Sequence, residues 1–162
     1  MKVADIHYWA VWWAGAPIEG YKDRVGYFNS EFGMQSLLPM SSLKLFLNEE
    51  DIQDYDSPAM LYHNKMNGGA KVVDRYAKQS FKPWHEKSTE DYSYLTICNQ
   101  GYGVGVRLEA IRRAVPRCMG SLYWQFNDLW PVFSWSSLDY YGQWKMLHYQ
   151  ARHFYDNVVL SI

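Results

Sequence analysis

Two short apolar runs, each ending in polar residues, most constrain the fold of this chain. The first covers residues 5–13, Asp-Ile-His-Tyr-Trp-Ala-Val-Trp-Trp, and the second covers residues 119–128, Met-Gly-Ser-Leu-Tyr-Trp-Gln-Phe-Asn-Asp. Both are rich in aromatic and branched residues, which favour strands. Nearly continuous apolar strands are typical of parallel sheets that are covered on both faces. The two runs therefore predict an α/β protein.

A third predicted strand ends in a single carboxylate. Tyr27 and Phe28 lead into small polar residues, and Glu31 is followed at once by Phe32 and Gly33. We interpret this pattern as a buried strand whose last side chain points into a cleft. A lone acid in such a place is costly to desolvate, so it is usually paired, metal-bound or catalytic. The alternative is a surface glutamate in a loop, which these residues alone leave open.

Helical patterns separate the predicted strands. The long helix that begins at Ser88 has the clearest signals, because it has a capping serine, early acids, basic residues near its end and a stop at Pro116. We expect residues 48–84 to form a polar excursion over the mouth of the fold, and residues 158–162 to begin another strand. The helices are predicted within 18–25, 36–47, 70–81, 88–115 and 144–155.

Composition excludes several functional classes. The 162 residues carry a formal net charge of −1, which gives no electrostatic case for binding nucleic acid or an anionic membrane. No apolar run approaches the roughly 20 residues of a membrane span, and the N-terminus lacks the apolar core of a signal peptide. Cys98, Cys118 and the histidines lack metal-ligand spacing, so we predict no metal and no cofactor. The cellular compartment is not fixed by the sequence.

The aromatic content of 18%, with 8 Trp and 14 Tyr, is high. Aromatic side chains with a polar group suit a flat ligand that must be stacked and also hydrogen-bonded, and sugars fit that description. The composition therefore points to a carbohydrate ligand. For any one tryptophan, packing in the core is an equal alternative.

Two long blocks resemble the β-mannosidases of glycoside hydrolase family 2. They are residues 30–36, Ser-Glu-Phe-Gly-Met-Gln-Ser, and residues 120–131, Gly-Ser-Leu-Tyr-Trp-Gln-Phe-Asn-Asp-Leu-Trp-Pro. The resemblance spans nearly the whole chain and is strengthened by the segments 7–12, 134–142 and 145–152. The catalytic domain of that family is a (β/α)8 TIM barrel, and these strands would be roughly its sixth, seventh and eighth. Residues 1–156 would then be the C-terminal part of the barrel, and residues 157–162 would start the link to a following β-sandwich domain.

The resemblance implies a retaining exo-β-mannosidase, which hydrolyses terminal non-reducing β-D-mannose residues. It makes Glu31 the catalytic nucleophile, one of two carboxyl groups about 5–5.5 Å apart. One group attacks the anomeric carbon, while the other protonates the leaving oxygen and then activates water. Trp124 would form an apolar wall beside the sugar ring in the −1 subsite. Trp9 and Trp12 would line the same cavity.

Four further residues are candidates for substrate binding. Because the nucleophile must be ionised, we expect hydrogen-bond donors around Glu31, with Tyr8 and Gln125 as candidates. Asp128 and Trp130 would contact the sugar, and for both the alternative is that they brace the last loop. The implied partner is a β-mannoside or oligosaccharide.

Two departures from the family pattern affect the expected activity. The family's acid/base glutamate belongs to an Asn-Glu pair upstream of the nucleophile, whereas Asn48 and Glu49 follow Glu31 and lack a preceding buried strand. The turn Trp13-Ala14-Gly15 stands where many relatives carry a His-Gly-Gly-like turn. A full barrel also needs roughly 200 to 250 residues. We therefore expect this chain alone to be inactive. We also expect its open strand edges to pair either with the missing half of the barrel or with another copy of the chain.

Two alternative functions stay open. One is another family 2 exo-glycosidase, of the β-galactosidase, β-glucuronidase or glucosaminidase type. The other is a non-catalytic carbohydrate-binding fragment whose aromatic residues form a stacking platform. Binding of mannosides that is insensitive to Glu31 but sensitive to Trp124 would favour the second.

Overall fold

A three-stranded parallel sheet lies at the centre of the computed structural model, which describes residues 4–82 and 88–161. The strands are β1 (Asp5–His7), β2 (Phe28–Glu31) and β3 (Gly120–Ser121), in the order β1-β2-β3. The helices are α1 (Met40–Leu43), α2 (Glu49–Gln53), α3 (Pro58–Tyr62), α4 (Gly69–Ser80), α5 (Thr89–Arg113) and α6 (Met146–Phe154), with a 3-10 helix at Ile18–Lys22. None of the helices in these described ranges is long and apolar enough to cross a membrane.

The register of the sheet brings the carboxyl ends of the three strands together. His7 of β1 lies opposite Glu31 of β2. Beyond the strand ends, the Tyr8 N–H donates to the Glu31 carbonyl at 2.8 Å, and the Trp124 N–H donates to the Phe32 carbonyl at 2.8 Å. Since all three strands are parallel, the residues that follow them lie at one edge of the sheet.

The prediction of a continuous strand over residues 5–13 is wrong. Strand β1 ends at His7, and the chain then turns, with Trp12 at φ 92° and a bridge between Val11 and Ala16. Val11 and Trp12 are nevertheless fully buried. The apolar run therefore indicates burial but not strand conformation, because a turn that packs into the core needs the same residue types as a buried strand.

The sheet is also less covered than the apolar runs predict. Within the described residues, β1 and β3 each pair with β2 alone. On the β3 side, Met119, Leu122 and Phe126 are 77%, 60% and 57% exposed. The second apolar run thus lies along an open edge of the sheet.

Most predicted helices occur with shorter bounds. The segment 18–25 forms only the 3-10 helix, and within 36–47 only α1 forms, with Pro39 as its N-cap. The polar excursion 48–84 contains α2, α3 and α4, and its last two residues lie outside the described ranges. Residues 158–161 form no strand, and Ile162 also lies outside the described ranges.

Helix α5 spans 25 residues and is the longest element. The predicted cap is confirmed, because the Ser88 side chain accepts a hydrogen bond from the Asp91 N–H. Its central glycines lie where other elements come close. A Cβ on Gly101 would lie 2.4 Å from Met146 Cγ, and one on Gly103 would lie 2.3 Å from Met34 Sδ. These glycines therefore let α6 and the segment after β2 pack directly on the helix backbone.

A fully buried arginine joins α5 to the sheet. Arg107 Nη1 donates to the carbonyls of Tyr21 at 2.9 Å and Asp23 at 2.6 Å, and Nη2 donates to Asn29 Oδ1 at 2.7 Å. The guanidinium carbon lies 4.5 Å from the centre of the Tyr8 ring. Burial lowers the pKa of Arg107, but an arginine stays charged in proteins. The charge is therefore balanced by carbonyl dipoles and an aromatic face.

Replacing this arginine should destabilise the fold. Arg107→Leu should lower the free energy of unfolding by about 3 kcal/mol or more, because buried acceptors lose their donor. Urea unfolding followed by circular dichroism measures the change. The matched control is Arg152→Leu, at an exposed position of α6, which should change the free energy by no more than about 0.5 kcal/mol. Equal effects of the two substitutions would contradict this role of Arg107.

Candidate active site

The Glu31 side chain lies at the carboxyl end of the central strand, and 31% of it is exposed. Trp9 Nε1 donates a hydrogen bond to Glu31 Oε2 at 3.1 Å. His7 Nδ1 lies 3.5 Å from the same oxygen. Both contacts come from the β1 segment, so the neighbouring strand orients the carboxylate while part of it stays accessible.

The prediction that Tyr8 and Gln125 donate hydrogen bonds to Glu31 is wrong. The Tyr8 hydroxyl donates to the Gly20 carbonyl at 2.8 Å instead. Gln125 Nε2 donates to Asp128 Oδ1 at 3.0 Å and to a neighbouring carbonyl. Side chains alternate across an extended chain, so when Tyr8 points into the core, the residues on either side of it point towards Glu31. That period of two is the sequence signal that would have identified His7 and Trp9 as the partners of Glu31.

A cluster of tryptophans surrounds the β1 end of the site. Trp135 is its centre, with ring centroids 6.3 Å from Trp9, 5.9 Å from Trp12 and 6.2 Å from Trp13. The prediction that Trp12 lines a sugar cavity is wrong, because its side chain is fully buried and stacks on Tyr76 with centroids 6.0 Å apart. Trp9 stays half-buried beside the carboxylate. Trp135 was missed because it lies in a loop without a periodic pattern.

Trp124 lies beside the strand that carries Glu31 and is 43% exposed. Its backbone passes so close to Gly33 that a Cβ there would lie 2.1 Å from the Trp124 carbonyl oxygen. The same Cβ would lie 3.3 Å from Trp135 Cδ1. The glycine therefore permits the close approach of the Trp124 backbone to the residues that follow β2.

Asp128 is buried, and its carboxylate is held by three side chains. Lys65 Nζ donates to it at 3.2 Å, Gln125 Nε2 at 3.0 Å and Ser134 Oγ at 2.6 Å. These contacts favour the interpretation that Asp128 braces the last loop over the interpretation that it contacts the sugar.

Trp130 is 36% exposed and lies against α3. Its ring centroid is 5.4 Å from His63 and 6.0 Å from Tyr62. The structure therefore separates Trp130 from the cluster around Trp135.

A buried polar network supports the segment that follows β2. Lys145 Nζ donates to Ser36 Oγ at 3.0 Å and to the Ser134 carbonyl at 3.3 Å. Ser36 Oγ in turn donates to Gln100 Oε1 at 3.0 Å, and Gln100 Nε2 donates to the Met34 carbonyl at 2.8 Å. The network links α5, the loop before α6 and the residues just beyond Glu31.

Asn48 and Glu49 lie where a helix begins. The Asn48 side chain accepts a hydrogen bond from the Asp51 N–H at 2.8 Å and so caps α2, and Glu49 is exposed in the first turn. Asn48 therefore has a structural role as a helix cap. Across residues 4–82 and 88–161, no group of three or more His, Cys, Asp or Glu residues could hold a metal ion.

Two clefts lie away from Glu31. One, of about 530 Å³, is lined by residues between Tyr55 and Lys78. The other, of about 670 Å³, lies between the 3-10 helix, the end of α4 and the α5 residues Cys98, Asn99 and Tyr102. Glu31 lines neither of these two clefts.

Comparison with known proteins supports a relationship to enzymes that act on glycosides. A β-mannosidase from Bos taurus is 37% identical over 138 residues, which are 79% of this chain and 16% of that protein. The crystal structure of a β-D-mannosidase from Dictyoglomus thermophilum matches with a TM-score of 0.88 at 35% identity, over 94% of this chain and 19% of that one. An exo-chitosanase from Amycolatopsis orientalis shares the fold, with a TM-score of 0.74 at 18% identity over 90% of this chain and 19% of that one. No protein family profile matches the chain.

These relationships place the chain among the glycoside hydrolases, with an α/β glycosidase fold. Within that class, the chain belongs to the β-mannosidase family, which confirms the resemblance drawn from the sequence. It spans about a sixth of the length of the bovine relative and about a fifth of the Dictyoglomus structure.

The close approach at Gly33 can be tested by adding one methyl group. Gly33→Ala should destabilise the chain by about 2 kcal/mol or more, because the Trp124 backbone would have to move. Gly105→Ala is the matched control, since a Cβ there would meet its nearest atom at 3.5 Å. In a helix interior that substitution should be neutral or stabilise by up to about 1 kcal/mol. Urea unfolding measures the free energy of unfolding of both variants. A Gly33→Ala variant as stable as the wild type would contradict the close approach of the Trp124 backbone to Gly33.

The buried lysine should make stability depend on pH. Burial lowers the pKa of Lys145 to about 7, although the charges of Asp128 and Asp139 act in the opposite direction. In the unfolded chain the pKa returns to about 10.4, so between about pH 7 and pH 10 the folded chain binds fewer protons than the unfolded chain. The contribution of Lys145 to the free energy of unfolding should therefore rise with pH in this window, by up to about 1.4 kcal/mol per unit.

Urea unfolding of the wild type and of Lys145→Met at pH 7, 8 and 9 isolates this contribution. The difference between the two proteins should change in favour of the wild type as the pH rises. Parallel pH profiles would show that Lys145 stays protonated in the fold.

Proposed function

We propose that Glu31 is the catalytic nucleophile of a retaining exo-β-mannosidase, and that this chain is the nucleophile-bearing part of that enzyme. The observation that carries the proposal is a partly buried carboxylate at the carboxyl end of the central parallel strand, oriented by Trp9 Nε1 at 3.1 Å. Membership of the β-mannosidase family supports the choice of sugar.

The proposed reaction has two steps. Glu31 attacks the anomeric carbon of a terminal β-mannoside, the glycosidic bond breaks, and the leaving oxygen takes a proton from a second carboxylic acid. The resulting glycosyl ester is then hydrolysed by a water molecule whose proton goes to the same second carboxylate. The product keeps its β configuration, because the anomeric carbon is inverted twice.

The surrounding aromatic residues have separate roles in this proposal. Trp124 would form the apolar wall of the −1 subsite, since its indole is exposed and its backbone N–H is bonded to the Phe32 carbonyl just beyond Glu31. Trp9 would orient Glu31 through its indole N–H and leave part of its ring beside the sugar. Trp12 and Tyr8 would support these residues from the core.

We further propose that the sheet is part of a (β/α)8 barrel, with β1, β2 and β3 as roughly its sixth, seventh and eighth strands. The parallel order and the position of Glu31 at a carboxyl strand end support this, since active sites of such barrels lie at that face. Residues 1–156 would belong to the barrel, and residues 157–162 would begin the link to a β-sandwich domain. The open edges at β1 and β3 would pair with the other barrel strands or with a second copy.

The chain alone should not turn over a mannoside at a useful rate. A missing acid/base group costs roughly 10²–10⁴-fold in rate. Incubation of the purified chain with 4-nitrophenyl β-mannoside should therefore release no more nitrophenol than the Glu31→Gln variant does. Release that Glu31→Gln abolishes would contradict this expectation.

A substrate that needs no acid tests the nucleophile itself. With 2,4-dinitrophenyl 2-deoxy-2-fluoro-β-D-mannoside, the leaving group departs unprotonated and the fluorine slows hydrolysis of the ester. We expect mass spectrometry of a digest to find the fluorosugar on the peptide that contains Glu31. Glu31→Gln should abolish the label, while the control Glu49→Gln, at the exposed start of α2, should keep it.

The labelling results distinguish an error in the proposed nucleophile from an error in the proposed sugar. A label on another carboxylate, or none on Glu31, would contradict the proposed nucleophile. Preferential labelling by the corresponding gluco or galacto sugar would keep the nucleophile but replace mannose as the substrate.

A further inference from the structure

Trp13 presents an exposed indole beside Trp9 and has no part in the proposed mechanism. Its side chain is 55% exposed. Its ring lies 6.4 Å from Trp9 at an interplanar angle of 67°, and 6.2 Å from Trp135 at 35°. Trp13 thus packs against the residue whose indole N–H donates to Glu31.

The turn that carries Trp13 is fixed by α4. The N–H of Trp12 donates to the Tyr76 hydroxyl oxygen at 2.8 Å, and the hydroxyl donates onward to the Ala16 carbonyl at 2.7 Å. Arg75 Nη2 donates to the Trp12 carbonyl at 3.2 Å. These bonds hold the backbone on both sides of Trp13. The exposed ring is thus presented by a fixed turn, which lowers the entropy lost on binding.

We propose that Trp13 is the stacking platform for the sugar ring on the leaving-group side, the +1 unit of a β-linked manno-oligosaccharide. This inference rests on the proposed function of Glu31. An exo-enzyme removes the terminal unit, so the ring attacked by Glu31 is the last one and every further ring lies on the leaving-group side. The indole face matches the apolar face of a pyranose ring, and the contact of Trp13 with Trp9, the partner of Glu31, supports assigning it to the second unit.

Binding of a disaccharide and of a monosaccharide by the full chain tests this assignment. Isothermal titration calorimetry with β-1,4-mannobiose and with methyl β-mannoside measures the two affinities. Trp13→Ala should weaken binding of mannobiose about threefold to tenfold, because one aromatic contact is lost. The same variant should leave the affinity for methyl β-mannoside unchanged.

Two further variants control for nonspecific effects. Trp13→Phe keeps an aromatic face and should retain most of the affinity for mannobiose. Trp144→Ala removes another exposed indole, 41% exposed and packed on His148 of α6, and should change neither affinity. Thermal unfolding of each variant shows whether it folds.

Each remaining outcome overturns the assignment. An equal loss of both affinities in Trp13→Ala would show a merely structural role, and no loss would show no role. Suppose that the wild type binds methyl β-mannoside and is labelled at Glu31, but Trp13→Ala binds mannobiose as tightly as the wild type does. Then only this inference fails. If the wild type binds neither sugar and Glu31 is not labelled, the proposed function fails with it.

Discussion

The buried guanidinium of Arg107 is the interaction on which the rest of the structure depends. It ties α5 to the end of the 3-10 helix through backbone carbonyls and to β2 through Asn29, two residues before Glu31. A buried charge needs hydrogen-bond acceptors, so the elements that supply them to Nη1 and Nη2 have few alternative positions. The Tyr8 ring covers the guanidinium and so fixes which face of the β1 segment turns inward. The orientation of Glu31 thus follows from a contact in the core.

The candidate site is built by alternation along one short extended segment. With Tyr8 directed into the core, His7 and Trp9 reach the same carboxylate oxygen of Glu31 from the neighbouring strand. On the other side, Gly33 allows the Trp124 backbone to approach β2 closely. The parallel register brings these parts to one edge of the sheet, which is why residues far apart in sequence meet there.

The sequence predicted the parts whose signals are local. The strand end at Glu31, the cap at Ser88 and the approximate bounds of α4 and α6 depend on neighbouring residues, and the structure has them. Burial depends on the whole fold, so the positions of Arg107 and Lys145 could not be predicted, because a charge on a helix is normally solvated. The same reason explains the error at Trp12, where an apolar run could not distinguish a strand from a turn packed in the core.

The Lys145 amine has a chemical consequence outside catalysis. With its pKa lowered to about 7, much of it is in the neutral, nucleophilic form near neutrality, yet it is fully enclosed. Amine-acylating reagents should therefore modify the exposed lysines of the folded chain and spare this one. Once the loop before α6 opens, the same amine becomes accessible to the reagent. The rate at which Lys145 is acylated would therefore measure how often this part of the chain opens.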